Sequence, residues 1–141
     1  GESATRFYGN IDPAASCLLY ASAAAPPSIV FRAKDGPMAL EGRGFPLGAL
    51  AGAAYETRYV PFTPGDMLLL YSDCLIETPG ASGAYFTEER IRNTVVSSLT
   101  EKPENPAKHS IDALMRAFKA HQPGAIGDDM TVNAYWRYPE H

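Results

Sequence analysis

Hydrophobic and polar positions divide this 141-residue chain into two parts with different periods. The first part alternates in short runs. "TRFYGNID" and "SCLLYASA" are aromatic and aliphatic segments on either side of "DPAA", where Pro13 presets φ and Asp12 can accept from its own backbone, so a hairpin is predicted. "PPSIVFRAKDGPMALE" repeats the pattern, with Ile29, Val30 and Phe31 as a strand and "KDGP" as the turn into the next one. "EGRGFPLGALAGAAYE" is rich in Gly and Ala and reads as an irregular crossing. "YETRYVPF" alternates outward polar with inward apolar positions and "TPGD" turns. "MLLLYS" is then apolar at nearly every residue, as in a strand buried on both faces.

The second part takes a helical period. In "TEERIRNTVVSSL", Thr87 is a capping hydroxyl, acids fill the first turn, and Ile91, Val95 and Leu99 share one face. "EKPENP" breaks this helix. Pro106 opens a second, "AKHSIDALMRAFKAH", whose buried stripe is Ile111, Leu114, Met115 and Phe118. "QPGAIGDD" is a loop, and "MTVNAYWRY" is a last β-branched and aromatic strand. Antiparallel hairpins followed by grouped helices predict an α+β domain rather than a βαβ winding.

Composition narrows the class of partner. With 45% hydrophobic residues, a chain of one domain's length can bury a core. Sixteen acids against twelve bases leave a net charge of -4, and no Lys/Arg cluster is present, so neither nucleic acid nor an anionic membrane is the expected partner. No apolar run approaches the roughly twenty residues that span a bilayer. Cys17 and Cys74 lie in apolar segments where small free thiols pack, which suits the reducing cytoplasm. "GESATRFYGN" has no leader pattern and no initiator Met, and it starts almost directly in a strand-like run. A cut or processed piece of a longer protein is expected.

Candidate chemistry reduces to carboxylates. A cysteine phosphatase needs an arginine six residues after its nucleophile, and six residues after Cys74 stands Gly80, so Cys74 is expected to be a packed small residue. His109, His121 and His141 have no metal-like spacing, and no phosphate-binding glycine loop occurs. Asp73 ends the buried strand, and "GDD" at 127–129 precedes the last strand. If the two strands are neighbours, Asp73 and Asp128 converge at one sheet edge, where oxygen ligands suit Mg²⁺ or Mn²⁺. The alternative is that Asp128 and Asp129 cap a turn while Asp73 bonds loop backbone. Asp66 is expected to be a turn residue and Asp112 to be solvated.

"FTPGDMLLLYSDCLIET", "FTEERIRNTV" and "GDDMTVNAYW", with "LLYASAAAPPSIVFR" and "GRGFPLGAL" upstream, together resemble bacterial metal-dependent Ser/Thr phosphatases of the PP2C superfamily. The likeness is to the C-terminal part of the SpoIIE-like branch, the sporulation and stress-response phosphatases that act on anti-anti-sigma factors. It runs from about Arg6 to the end. The resemblance implies a β-sandwich flanked by helices, two Mn²⁺ or Mg²⁺ ions at one edge, and in-line attack of an activated water on phosphoserine or phosphothreonine. It also implies Asp73 and Asp128 as metal ligands, Asp129 as a weaker or outer ligand, and Gly127 as a point of close backbone approach.

The sequence departs from that pattern in three places. Ala25 in "AAAPP" stands where a His is usual, Cys74 stands at the "SDG" glycine, and the acids of the family's N-terminal half are absent from these residues. Without a bridging carboxylate two adjacent cations repel, so residues 1–141 are expected to form a single partial domain with an incomplete binuclear site. The resemblance also implies that the family's N-terminal half contributes long helices to the sandwich, and an apolar face left without them implies self-association, instability or a covering partner. Three readings remain open: dephosphorylation of a regulatory protein in a sigma-factor pathway, a catalytically degenerate relative that binds a protein partner on the same scaffold, or a soluble α+β domain whose acids only terminate strands.

Overall fold

Among the described residues seven strands and three helices follow one another: β1 (Arg6–Asp12), β2 (Cys17–Ala23), β3 (Ser28–Arg32), β4 (Gly36–Leu40), β5 (Arg58–Pro61), β6 (Met67–Tyr71), α1 (Cys74–Glu77), α2 (Glu88–Thr100), α3 (Pro106–His121) and β7 (Val132–Trp136). The computed structural model describes residues 6–23, 28–40, 58–124 and 130–139, without the side chains of 6–8 and 22–23. The irregular crossing expected around residues 41–56, the "AAAPP" segment with Ala25, and His141 lie outside the described residues, wholly or for the most part.

Both expected hairpins form. The β1–β2 turn is fixed by Asp12, whose Oδ1 accepts from the amides of Ala14 (3.1 Å) and Ala15 (3.2 Å). Gly36, with φ +77°, closes the β3–β4 turn in a conformation that L side chains rarely adopt. The strands build two antiparallel sheets, β1-β2-β5 and β4-β3-β6-β7. Leu18 and Tyr20 of the first pack against Val30, Leu40 and Leu68 of the second, with Phe62 between them. On the other face of the second sheet, Ile29, Phe31, Met67, Leu69 and Tyr71 meet Ile91 and Val95 of α2 and Leu114 and Phe118 of α3. Strand β6 therefore feeds two cores through its alternating side chains, as its unbroken apolar run predicts.

Both long helices begin where the sequence signals them. Thr87 accepts from the Arg90 amide at 3.2 Å, and Asn105 accepts from that of Lys108 at 3.1 Å just before Pro106. Of the predicted stripe, Leu114 and Phe118 are buried and Met115 packs at the margin of the core. Asp112 is solvated as expected; a hydrogen bond from Lys108 holds its carboxyl below the usual range. The outer face of the three-stranded sheet carries Asn10, Leu19 and Tyr59 in one register row, and Tyr59 is 74% exposed.

Asp66 is more than a turn residue. Only 3% exposed, it accepts from the Ala33 amide (2.9 Å), the Thr63 amide (2.8 Å) and the Thr63 hydroxyl (3.1 Å), joining the β3–β4 turn to the β5–β6 turn. Arg137 adds a second tie at the same end. Its guanidinium donates to the Phe62 carbonyl (2.6 Å), the Ser16 hydroxyl (3.1 Å) and the Pro13 carbonyl (3.2 Å), while its backbone pairs with Gly65 and Asp66. Removing a buried acceptor leaves its donors unsatisfied. Asp66→Ala is thus expected to lower the unfolding free energy by about 3 kcal/mol, and Asp66→Asn, which keeps one acceptor oxygen, by less. Urea denaturation midpoints of the two variants check the size and the order.

Candidate metal centre

Asp73 stands at the end of β6 opposite the Asp66–Arg137 ties. The strand stops at Tyr71, two residues earlier than the sequence implied, and Asp73 precedes the one-turn helix α1 instead of ending a strand. Its backbone is strongly held: the Asp73 carbonyl accepts from Ile76 (3.0 Å) and Glu77 (2.8 Å), and Leu75, fully buried, anchors α1 in the helix-side core. Its side chain is not. The carboxylate makes no capping bond, and among the described residues it has no hydrogen-bond or ion-pair partner although it is half-buried. An oxygen donor on a firmly held backbone, with no competing partner among the described residues, fits a hard divalent cation.

Register settles whether the two strands are neighbours. β6 and β7 pair from Met67↔Trp136 to Tyr71↔Val132, so the start of β7 lies beside the end of β6. One step further, the Ser72 amide donates to the Thr131 carbonyl at 2.9 Å and the Thr131 amide donates to the Ser72 hydroxyl at 3.0 Å. Gly127, Asp128 and Asp129 themselves lie outside the described residues. Among the described residues no group of three or more His, Cys, Asp or Glu side chains could hold an ion, so Asp73 is the one predicted ligand that the structure positions.

Cys74 is buried at 6% exposure with its thiol 3.4 Å from the Thr78 hydroxyl, within α1's own turn. The packing expected for a small thiol is what occurs. Gly80, where a cysteine phosphatase would carry its arginine, lies instead against the end of α3. A Cβ there would meet the His121 carbonyl oxygen at 2.7 Å and its ring carbon at 2.6 Å. The 79–86 loop is clamped on that helix end by Ala81 donating to the His121 carbonyl (3.0 Å) and Gln122 donating to the Pro79 carbonyl (2.8 Å). His121 itself packs edge-on to Phe86, 5.5 Å between ring centres, and His109 pairs with Glu101 at 2.6 Å.

Tyr71 lines the helix side of the same strand end. Burial, chiefly, and the nearby Glu88 and Asp73 carboxylates push its phenol up, with Arg92 opposing, so it stays protonated. Its hydroxyl is buried with no partner among the described residues. Ser72 is the functional candidate that sequence reasoning passed over. A hydroxyl between two apolar-strand residues and a carboxylate was the available signal, but its meaning depends on the partner Thr131, far away in the chain.

A sequence model of the Stage II sporulation protein E (SpoIIE) family matches residues 1–135. Protein IcfG of Synechocystis sp. is 24% identical over 135 residues, covering 95% of this chain and 20% of that protein. Among solved structures, the RsbU and RsbW domains of Rv1364c from Mycobacterium tuberculosis superpose with a TM-score of 0.77 at 24% identity, covering 97% of this chain and 38% of theirs. The phosphatase domain of the cell fate determinant SpoIIE from Bacillus subtilis, Mn presoaked, gives 0.68 at 20% identity, covering 97% and 58%. The SiaA PP2C domain of Pseudomonas aeruginosa gives 0.71 at 20% identity, covering 89% and 48%. The chain thus spans about a fifth of the curated relative and less than two thirds of each of these solved chains. Its two sheets and helices have the PP2C-like α+β fold.

Two substitutions probe the packing around this end. Tyr71→Phe removes a buried hydroxyl without stranding a described partner, so stability is expected to stay level or rise by up to about 1 kcal/mol in thermal melts. Gly80→Ala forces the loop off His121 and is expected to cost roughly 1–3 kcal/mol by the same measurement.

Proposed function

The chain belongs to the Stage II sporulation protein E (SpoIIE) family, and from that premise we propose that it forms part of a divalent-metal-dependent phosphatase domain acting on phosphoserine or phosphothreonine of a regulatory protein. The observation that carries the reading is Asp73: a half-buried carboxylate without a described partner, fixed at the end of a strand buried on both faces. Together with Asp128, and with Asp129 as a weaker ligand and Gly127 allowing close backbone approach, Asp73 would hold Mn²⁺ or Mg²⁺. Such an ion, when bound, supplies an acidified water and charge neutralisation at the phosphoryl oxygens.

The residues of this chain contribute placement. α1 fixes the Asp73 backbone through the carbonyl's two hydrogen bonds, so the point from which the carboxylate projects is set and only its side-chain torsions are left to order on binding. Burial of Leu75 and Cys74 keeps the turn docked while Asp73 stays at the boundary with solvent, where a phosphorylated side chain can reach. The Cys74 thiol lies 3.4 Å from the Thr78 hydroxyl at the end of α1.

Protein partners are supported by the relatives: an RsbU domain occurs with an RsbW domain in the Mycobacterium tuberculosis protein. An anti-anti-sigma factor is the substrate type we assign, with signalling in the cytoplasm. Both cysteines are free thiols, and no helix among the described residues is long and apolar enough to cross a membrane. The test is Mn²⁺-dependent hydrolysis of a phosphoserine peptide by the full-length protein. Asp73→Asn is expected to abolish turnover while leaving the fold intact by circular dichroism. Full-length protein that shows no Mn²⁺ heat in calorimetry and no turnover is instead a non-catalytic, protein-binding relative.

A further inference from the structure

At Ser72 the β6–β7 ladder changes its chemistry. Up to Tyr71↔Val132 the strands pair through backbone alone. At the next step an antiparallel ladder would match the Thr131 amide with the Ser72 carbonyl. Here the Ser72 hydroxyl takes that amide at 3.0 Å, while the Ser72 carbonyl has turned away to accept from Leu75 at 3.1 Å and open α1. The Ser72 amide still donates to the Thr131 carbonyl at 2.9 Å, so the two chains stay joined as one of them leaves the sheet. The side chain stands in for its own backbone, and that substitution lets the strand become a helical turn at Asp73 without releasing β7.

We propose that Ser72 is a positioning residue for the metal edge, coupling Asp73, its immediate neighbour, to the segment that carries Asp128 and Asp129 through Thr131. The proposal rests on the phosphatase reading above. A side chain without an oxygen at the γ position has two outcomes. Either the Thr131 amide loses its acceptor and the start of β7 loosens, or the Ser72 carbonyl returns to the ladder and α1 loses its first hydrogen bond. Each moves one ligand-bearing segment relative to the other. Partners that orient metal ligands typically change metal affinity by about 10–100-fold when removed. The hydroxyl is engaged by the Thr131 amide and would act through the segments it joins, so its effect is read in affinity for the ion.

The experiment uses the full-length protein and Mn²⁺ alone as probe. Ser72→Ala is expected to weaken Mn²⁺ binding in calorimetry by about tenfold and to speed hydrogen exchange at the Thr131 amide or, where the Ser72 carbonyl returns to the ladder, at the Leu75 amide. Ser72→Thr, which keeps the oxygen, restores both. If Ser72→Ala does not fold, Thr131→Pro deletes the same N–H from the opposite strand and must show the same loss of affinity. Wild-type affinity in Ser72→Ala, or equal impairment of Ser72→Ala and Ser72→Thr, overturns the role of Ser72 and leaves the phosphatase reading standing if Asp73→Asn still loses the ion. Wild-type protein that binds no Mn²⁺ overturns both.

Discussion

A strand buried on both faces can place charge only at its ends, and that constraint on β6 organises the rest of the molecule. Met67, Leu69 and Tyr71 enter the helix-side core while Leu68 enters the core between the sheets, so a charged side chain at any of these positions would be buried without water. Polar chemistry is displaced to Asp66 before the strand and Asp73 after it. The two cores fix the axis along which both carboxylates lie.

The two ends use the same functional group in opposite ways. Asp66 accepts from three donors in two turns and is deeply buried; it joins elements and both of its oxygens are engaged. Asp73 lies at intermediate depth, has no described partner, and is held through its backbone. A carboxylate that satisfies donors stabilises a fold, whereas one restrained but unsatisfied is available to a ligand. From residue type alone the two could not be told apart, and hydrogen-bond accounting separates them.

Much of the architecture was legible in local pattern. The hairpins around "DPAA" and "KDGP", the Thr87 and Pro106 helix starts and the doubly buried "MLLLYS" strand all rest on interactions within a few residues, which sequence spacing encodes directly. Long-range chemistry was not legible. Arg137 reaches Pro13, Ser16 and Phe62, Gly80 is small because of His121, and Ser72 matters because of Thr131. The four-residue α1 was missed because a single turn shows no period. Of the metal ligands expected from resemblance, Asp73 gained a physical setting, while Gly127, Asp128 and Asp129 belong to the undescribed segment.

The Arg137 tie has a consequence for the order of folding. From its place directly after β7, its guanidinium links the β1–β2 turn, near the beginning of the chain, to the β5–β6 turn. Hairpins and the α2–α3 pair can form as soon as their residues are present, because their contacts are local. The sandwich cannot lock until Arg137 arrives, since Met67 waits for Trp136 and Ser16 waits for Arg137. During synthesis the exposed flank of β6 therefore remains unpaired until almost the whole segment has left the ribosome, a late closure that leaves a nascent apolar edge open to chaperones or to misassembly.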